Sequence, residues 1–539
     1  MKTSVLNHFI IVFALVFSLV KANNINVTNI ALVNQNTTAG LNNAANHTFV
    51  QFDLTWDNSW RNSAGPANWD AAWVFVKFQV FGSPSWEHAT LSSTDADHTI
   101  TNNNGVSMTI DAAQNGRGVM FHRTTNGNGN LNLQGVRLRW NYRSGNVVHD
   151  TANVTVRVFA VEMVFIPEGQ FFIGDGTLTT PLPSTNAFRI NNVGNNRPYR
   201  VINEGALVFI NNSIAGGGVD QLYNNRWTAG YTLPAGFPKG FASMYVMKYE
   251  LTVQQYVDFF NTLRTDITTA KNNRNLQSSQ PSRSTFVWNS SPLTDATSGV
   301  GANRPQGGFN NDDILAYADW SGLRIMTELE FEKINRGSDR TGASPGIAVY
   351  PVNGEYSWGE NVNLSSVTST AHLLNDGLVN EGIASAQPNM NVNTGFASGP
   401  LRVGIFAAKN ATSLQRRQSG ASYYGVMELT GNLEDPIIPA EPGYDWCTSS
   451  TQRFYEGVHG DGNIDGSTGN NTTLTYTNVT NFSKLWVIST KGGSYSAAER
   501  VSERAMQYPT GTSWCGNAPM DFGRKAQRGF RGAISGNQF

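Results

Sequence analysis

The chain has 539 residues, which is longer than one ordinary domain and predicts two or three. Charged residues make up only 14% of it, well below the roughly 25% of an average soluble domain, and 38 basic residues balance 39 acidic ones. No basic stripe is present that could bind a phosphate backbone. The composition therefore excludes a nucleic-acid binder, a polybasic membrane-surface protein and a coiled coil, and it favours a neutral, turn-rich, largely β protein.

The first 22 residues have the pattern of a secretory signal peptide. Lys2 supplies a positive start, Phe9–Val20 is an apolar run, and a short stretch ending at Ala22 suits signal peptidase. The run is shorter than the about 20 apolar residues of a transmembrane helix, and no later segment suits a bilayer span. No cysteine follows the run, so a lipid anchor is not expected. We predict a secreted or cell-surface protein without a transmembrane segment, beginning near Asn23.

Residues 23–160 are predicted to form an antiparallel β-sandwich. In runs such as Val50–Trp56 and Val74–Val80, apolar residues alternate with polar partners, as expected for strands with one buried face. The cluster Asn126–Asn130 is a turn between later runs of the same kind. Four tryptophans crowd this region and are either core residues, which we favour, or aromatic contacts for a ligand such as a glycan: Trp56, Trp60, Trp69 and Trp73.

The character of the sequence changes near residue 160, where longer loops and amphipathic helices begin. Apolar spacing predicts helices over Thr252–Leu263 and Asp312–Trp320. A third helix is predicted from Thr327, because its hydroxyl and the side chain of Glu330 can form a capping box. The Gly-, Asn- and Thr-rich stretch 448–480 is predicted to be a long surface loop.

Seven short motifs beyond residue 160 resemble, in order, those of the formylglycine-generating enzyme (sulfatase-modifying factor) family. No single motif is specific for the family, but the presence of all seven in the family's order is. They are Met163–Gly174, Tyr249–Tyr256, Trp320–Glu332, Tyr356–Gly359, Tyr424–Asn432, Lys491–Tyr495 and Gly529–Arg531. The resemblance implies a variant of the C-type lectin fold over residues 161–539. The whole chain is thus predicted to be α+β, with the β-sandwich followed by this family domain.

The departures from the family pattern bear on function. Active members bind copper through two cysteines after the "G-G-S" motif, and the resemblance places those positions at Ala497 and Ser502. Neither side chain offers the soft sulfur that Cu(I) prefers. Related iron-dependent enzymes use a histidine cluster, but only His372 and His459 lie beyond residue 160. We therefore expect neither copper nor iron, and a family fold without its catalysis.

Two loops are candidates for a structural calcium ion. Family members often hold calcium at the "G-N" loop, which here contains Asn432 and a carboxylate at Asp435. The second loop places side-chain oxygens at Asp461, Asn463 and Asp465, the first half of an EF-hand-type pattern. Residue 472 is Thr where that pattern has a bidentate Glu, so a turn that needs no metal remains the alternative.

The two cysteines, Cys447 and Cys515, allow two interpretations. In an exported protein an isolated pair can form a disulfide. The alternative is a thiolate pair with a metal or redox role, which normally has closer spacing. We favour the disulfide over a catalytic use.

Three classes of function fit these features. The first is a non-catalytic structural or binding protein of the cell surface or extracellular matrix: an adhesin, a surface-layer component or a self-assembling filament subunit. Its partners would be copies of itself, other surface proteins or glycans, because a neutral, amide-rich surface does not repel itself. The second is a divergent metal-dependent oxidoreductase of the formylglycine-generating type. The third is an envelope scaffold for secretion or gliding.

Overall fold

A computed structural model of the chain describes most of its residues. The described ranges are 25–176, 198–211, 230–264, 268–284, 301–339, 347–362, 372–378, 380–383, 399–407, 415–441, 454–472, 488–499 and 523–539, with the short pieces 187–188, 190, 222–224, 266, 286–288, 296–298, 367 and 501–502. The predicted signal peptide and both cysteines, Cys447 and Cys515, lie outside these ranges.

The N-terminal part is built from nine strands. They are β1 (Asn26–Asn36), β2 (His47–Arg61), β3 (Asp70–Val80), β4 (Glu87–His88), β5 (Thr99–Asn102), β6 (Met108–Ala112), β7 (Val119–Arg123), β8 (Gly127–Trp140) and β9 (Val154–Ile166). One sheet has the order β1-β2-β8-β5, and β3, β4, β6, β7 and β9 belong to a second. The pairs within this part are antiparallel.

The remaining strands are short and helices are few. The strands are β10 (Phe171–Ile173), β11 (Tyr199–Val201), β12 (Leu207–Asn211), β13 (Leu222–Asn224), β14 (Tyr231–Leu233), β15 (Met244–Met247), β16 (Phe286–Trp288), β17 (Ala296–Ser298), β18 (Arg324–Thr327), β19 (Ser338–Asp339), β20 (Ile347–Ala348), β21 (Leu373–Leu374), β22 (Gly382–Ile383), β23 (Asp435–Ile438), β24 (Ser489–Lys491), β25 (Gly493–Ser494), β26 (Ala497–Ala498) and β27 (Gly532–Ser535). The helices within the described ranges are α1 (Val253–Phe260), α2 (Thr268–Asn273), α3 (Asn311–Trp320), α4 (Glu328–Arg336) and α5 (Gln415–Ser419). The protein is therefore β-rich with few helices.

A single ten-stranded sheet runs from the N-terminal part into the later part. Its order is β24-β23-β18-β27-β15-β9-β3-β7-β6, with β4 added beside β3. Strand β9 is the link, because it pairs with β3 from Val154 to Val164 and with β15 from Met163 to Ile166. Residue 160, where the character of the sequence changes, lies inside this strand.

Strand β3 has a core on each of its faces. Its even-numbered residues from Ala72 to Phe78 share a cluster with apolar residues of β2 and β8. Its odd-numbered residues Ala71, Trp73 and Phe75 pack into the larger core of the later part. The predicted alternation of buried and solvent-facing residues is thus confirmed for β2 and wrong for β3, because a second layer covers the face that would otherwise meet water.

The helix predictions are confirmed, with one difference in length. Capping boxes close the N-termini of α1, α3 and α4, at Thr252, Asn310 and Thr327. Helix α1 ends at Phe260 and not at Leu263, because the amide of Leu263 donates to the Phe260 carbonyl in a tighter turn. No helix in the described part of the chain has both the length and the apolar character of a membrane span.

Candidate functional site

The hairpin β25–β26 carries the first of the two predicted copper positions. Ser496, in its turn, and Ala497, the first residue of β26, are exposed. Ala498, on the return strand, packs against the rings of Tyr356 and Trp358, which stack with their centroids 4.9 Å apart. The exposed residues of the hairpin are therefore next in sequence to a contact with an aromatic pair, but they present only a hydroxyl and a methyl group.

Ser502, the second copper position, is buried and engaged in hydrogen bonding. Its hydroxyl donates to Asp175 Oδ2 at 2.9 Å, and the same oxygen accepts the Gly354 amide at 2.9 Å. The neighbouring Val501 amide donates to the Glu355 carbonyl. Since Cu(I) requires soft ligands, the side chains of Ala497 and Ser502 do not fit this metal.

Buried charges lie at the base of this hairpin. The ammonium group of Lys491 is 3.8 Å from Glu332 Oε1 and 4.0 Å from Glu328 Oε1. Arg336 bridges Glu332 and Glu355. Burial lowers the pKa of Lys491 and raises the pKa of Glu332, and each partner opposes the other's shift. All five side chains are shielded from solvent, so their charges are compensated mainly by one another.

The predicted "G-N" loop is organised by a buried glutamate. Glu250 accepts the Asn432 side-chain amide at 2.6 Å and the Leu433 backbone amide at 2.8 Å. Asn432 has a φ of 62°, and its Oδ1 accepts the Leu401 amide at 3.0 Å. Both the nitrogen and the oxygen of the Asn432 side-chain amide are thus hydrogen-bonded. Burial, together with the nearby charge of Asp435, raises the pKa of Glu250 well above its usual range.

Two carboxylate oxygens beside this loop are buried without a hydrogen bond. They are Asp435 Oδ2 and Glu428 Oε2. The other oxygen of Asp435 accepts Arg531 Nε at 2.9 Å, and that of Glu428 accepts the Gly404 amide at 2.8 Å. Burial raises the pKa of Glu428 to about 7, against the opposing effect of Arg531. Oxygen donors of this kind suit a hard cation such as calcium, with backbone carbonyls and water completing the shell.

The second predicted calcium loop makes many internal hydrogen bonds. Asp461 Oδ1 accepts the Asn463 amide at 2.7 Å, and Asp465 accepts the amide and hydroxyl of Ser467 and the hydroxyl of Thr468. Asn463 Oδ1 accepts the backbone amide of His88 at 3.2 Å. Among the described residues, no group of three or more His, Cys, Asp or Glu side chains is placed to hold a metal ion. Calcium at either loop remains a prediction.

The four tryptophans fall into two pairs. Trp56 and Trp73 are each 1% exposed and belong to the two cores, so they present no face to a ligand. Trp60 and Trp69 are half-buried. The ring of Trp69 stacks on Phe165 at 4.0 Å and lies 3.9 Å from the Arg61 guanidinium, so protein groups already occupy it.

The described part of the 448–480 stretch has irregular backbone, but it is not wholly at the surface. Tyr455 and His459 are buried. His459 Nε2 accepts the Ser535 amide at 3.0 Å, and burial holds its pKa well below the usual range. His372 lies apart in sequence, next to the short strand β21.

Sequence reasoning missed several buried charged residues. Glu250, Glu428 and Arg531 surround the "G-N" loop, and Lys77 lies in the largely apolar strand β3. The sequence did carry a signal for Lys77, because a charge in the middle of a largely apolar strand needs a partner if it is buried. The partners of Glu250 and Glu428 come from segments distant in the chain, which no local pattern indicates.

The family described as the sulfatase-modifying factor enzyme 1-like domain matches residues 214–533. No curated protein matches the chain significantly.

Proposed function

The chain belongs to the sulfatase-modifying factor enzyme 1-like family, and from this premise we propose that it is an exported, non-catalytic member of that family. Its role is that of a structural or binding protein at the cell surface or in the extracellular matrix. One observation carries the proposal: the two positions expected to hold copper are an exposed methyl group at Ala497 and a buried, hydrogen-bonded hydroxyl at Ser502.

The N-terminal strands support a contact role. We take the two sheets and the apolar cluster they share to be a β-sandwich. The end of β1, the start of β2 and the end of β8 lie at the same end of their sheet, because Asn36 pairs with His47 and Thr48 pairs with Trp140. The end of β3 pairs with the start of β9, and the Phe81 amide donates to the Asn153 carbonyl.

The loops that follow these strand ends carry exposed apolar side chains. Phe81 is 86% exposed, Leu41 73% and Val147 61%. The loops of Leu41 and Val147 are connected, because Asp150 Oδ2 accepts the Asn42 amide. Contiguous apolar patches mark interaction surfaces, and we propose that these loops form one. Because only 14% of the residues of the chain are charged, copies of the protein would meet there with little electrostatic repulsion.

Self-association through these loops is tested by replacing their apolar side chains. Wild-type protein is expected to form oligomers or filaments under electron microscopy and in sedimentation velocity experiments. The double variant Leu41→Ser with Phe81→Ser is expected to sediment as a monomer, because the apolar contact is lost. Val362→Ser is the matched control, since Val362 is 51% exposed and lies in the family domain. A wild-type chain that remains monomeric at high concentration would contradict the proposal.

Calcium at the "G-N" loop is part of the proposal, with Glu428 and Asp435 as its carboxylate ligands. Calcium binding to the folded state should raise the free energy of unfolding by about 2.7 kcal/mol when calcium is at 100 times its Kd. The melting temperature should rise accordingly. Glu428→Gln should abolish the shift, and Glu360→Gln, at an exposed ion pair with Arg417, should not. An equal calcium effect in both variants, or none in the wild type, would exclude this site.

A second candidate function is a divergent metal-dependent oxidase, which family membership itself favours. The third candidate, an envelope scaffold for secretion or gliding, would use the same non-catalytic surfaces.

Copper binding and oxygen uptake distinguish an oxidase from a binding protein. The purified wild type is expected to bind no Cu(I) at the β25–β26 hairpin and to consume no oxygen with a cysteine-containing peptide. The double variant Ala497→Cys with Ser502→Cys supplies soft ligands and is expected to gain Cu(I) binding. Stoichiometric copper in the wild type, with oxygen uptake that Cys515→Ser abolishes, would establish the oxidase instead.

A further inference from the structure

Lys77 is a buried cation between the two parts of the chain. It is the single charged residue between Ala71 and Val80 of β3, and it is 1% exposed. Its ammonium group donates to the Trp320 carbonyl at 2.7 Å and also to the Gly462 carbonyl. It also lies 5.0 Å from the Trp320 ring centroid. Burial lowers the pKa of Lys77 strongly, and Asp319 and Asp461 oppose that shift.

One acceptor belongs to the C-terminus of helix α3. Trp320 is the last residue of this ten-residue helix, so its carbonyl has no partner within the helix. A cation at this end interacts favourably with the helix dipole. The indole of Trp73, four residues before Lys77 in β3, donates to the next carbonyl, that of Ser321, at 3.0 Å. Strand β3 therefore caps α3 with two side chains.

The other acceptor belongs to the loop that was predicted to hold calcium. In an EF-hand-type loop, oxygens of the first and twelfth residues converge on a cation. Here the backbone amides of Asp461 and Thr472, the first and twelfth residues, donate to the carboxylate of Asp319, at 2.9 Å and 2.6 Å. The first and twelfth residues of this loop thus bind an anion, the carboxylate of Asp319 from α3. In a calcium site the corresponding residues bind a cation.

The remaining features of the loop fit the N-terminal sheets. Gly462 has a φ of +88°, and a β-carbon there would lie 2.2 Å from the His88 ring. The side chain of Asn463 accepts the His88 amide and the side-chain amide of Asn146, each at 3.2 Å. Arg117 donates to the Gly460 carbonyl at 2.6 Å. The residues that suggested calcium binding therefore have contacts that account for them.

We propose that the loop 461–472 is a docking site for the ammonium group of Lys77, which supplies the positive charge in place of a metal ion. The site joins the N-terminal sheets to the family domain through Lys77, beside the contact of Arg117 with Gly460, and Asp319 is the anion that closes the loop. This inference does not depend on the proposed function, because it concerns how the two parts are held together.

Chemical rescue tests the proposal directly. Lys77→Ala removes a propylammonium fragment and leaves the carbonyls of Trp320 and Gly462 without their donor. The variant is expected to lose about 5 °C or more in melting temperature, and added propylammonium is expected to restore part of that loss. Propanol, which has similar size and no charge, is expected to restore little. Equal rescue by both compounds would overturn the proposal, because it would indicate cavity filling alone.

Lys77→Met keeps approximately the length of the side chain but removes its charge. This variant is the alternative test if Lys77→Ala does not fold. Loss of stability in this variant is expected, whereas wild-type stability would overturn the proposal.

A second experiment, the effect of calcium on the melting temperature of two variants, distinguishes this loop from the "G-N" loop. Any calcium effect on the melting temperature is expected to persist in Asp461→Asn. An effect lost in Asp461→Asn and kept in Glu428→Gln would show that the loop 461–472 binds metal, against the proposal.

Discussion

The pairing of strand β9 with both β3 and β15 is the constraint on which the rest of the structure depends. Because the two pairings overlap at Met163 and Val164, the backbone hydrogen bonds of one sheet run through both parts of the chain. The N-terminal strands therefore form one wall of the family domain's core, with Trp73 and Phe75 inside it. An unpaired edge at β9 would expose backbone groups to water and to other chains. We infer that the two parts fold as one unit.

Several family motifs perform structural work in this chain. Arg324 and Glu330, from the third motif, form a buried pair with nitrogen–oxygen distances of 2.6 and 2.8 Å. Arg531, from the last motif, donates to Asp435 and to the carbonyls of Met247, Lys248 and Met427. These contacts require the motif residues whether or not the fold is catalytic. The motifs therefore identify the family without implying its chemistry.

Local sequence patterns predicted the local structure well. A capping box located the start of α4, apolar spacing located α1, and alternation located β2, because all three signals depend on neighbouring residues. The second buried face of β3 and the partners of Lys77 were not predictable in this way. They depend on segments that lie 243 and 385 residues further along the chain.

The candidate sites also combine features that neighbouring residues predict with features that only distant segments determine. The oxygen-rich pattern at 461–466 is real, but its meaning depends on Asp319 and Lys77, which the pattern does not include. At the "G-N" loop the position of Asp435 was predicted, whereas Glu428 and Glu250 emerged only from the folded arrangement. Side-chain chemistry can be anticipated from sequence, but the groups that face it are determined by tertiary contacts.

Native-state hydrogen exchange of the full chain tests the continuity of the sheet most directly. Amides of β3, β9 and β15 should exchange with free energies that agree within about 1 kcal/mol, because breaking any of these pairings requires the same cooperative opening. If the amides of β3 exchange at a free energy several kcal/mol lower than those of β15, and independently of them, the N-terminal strands form a separate unit and the account is contradicted.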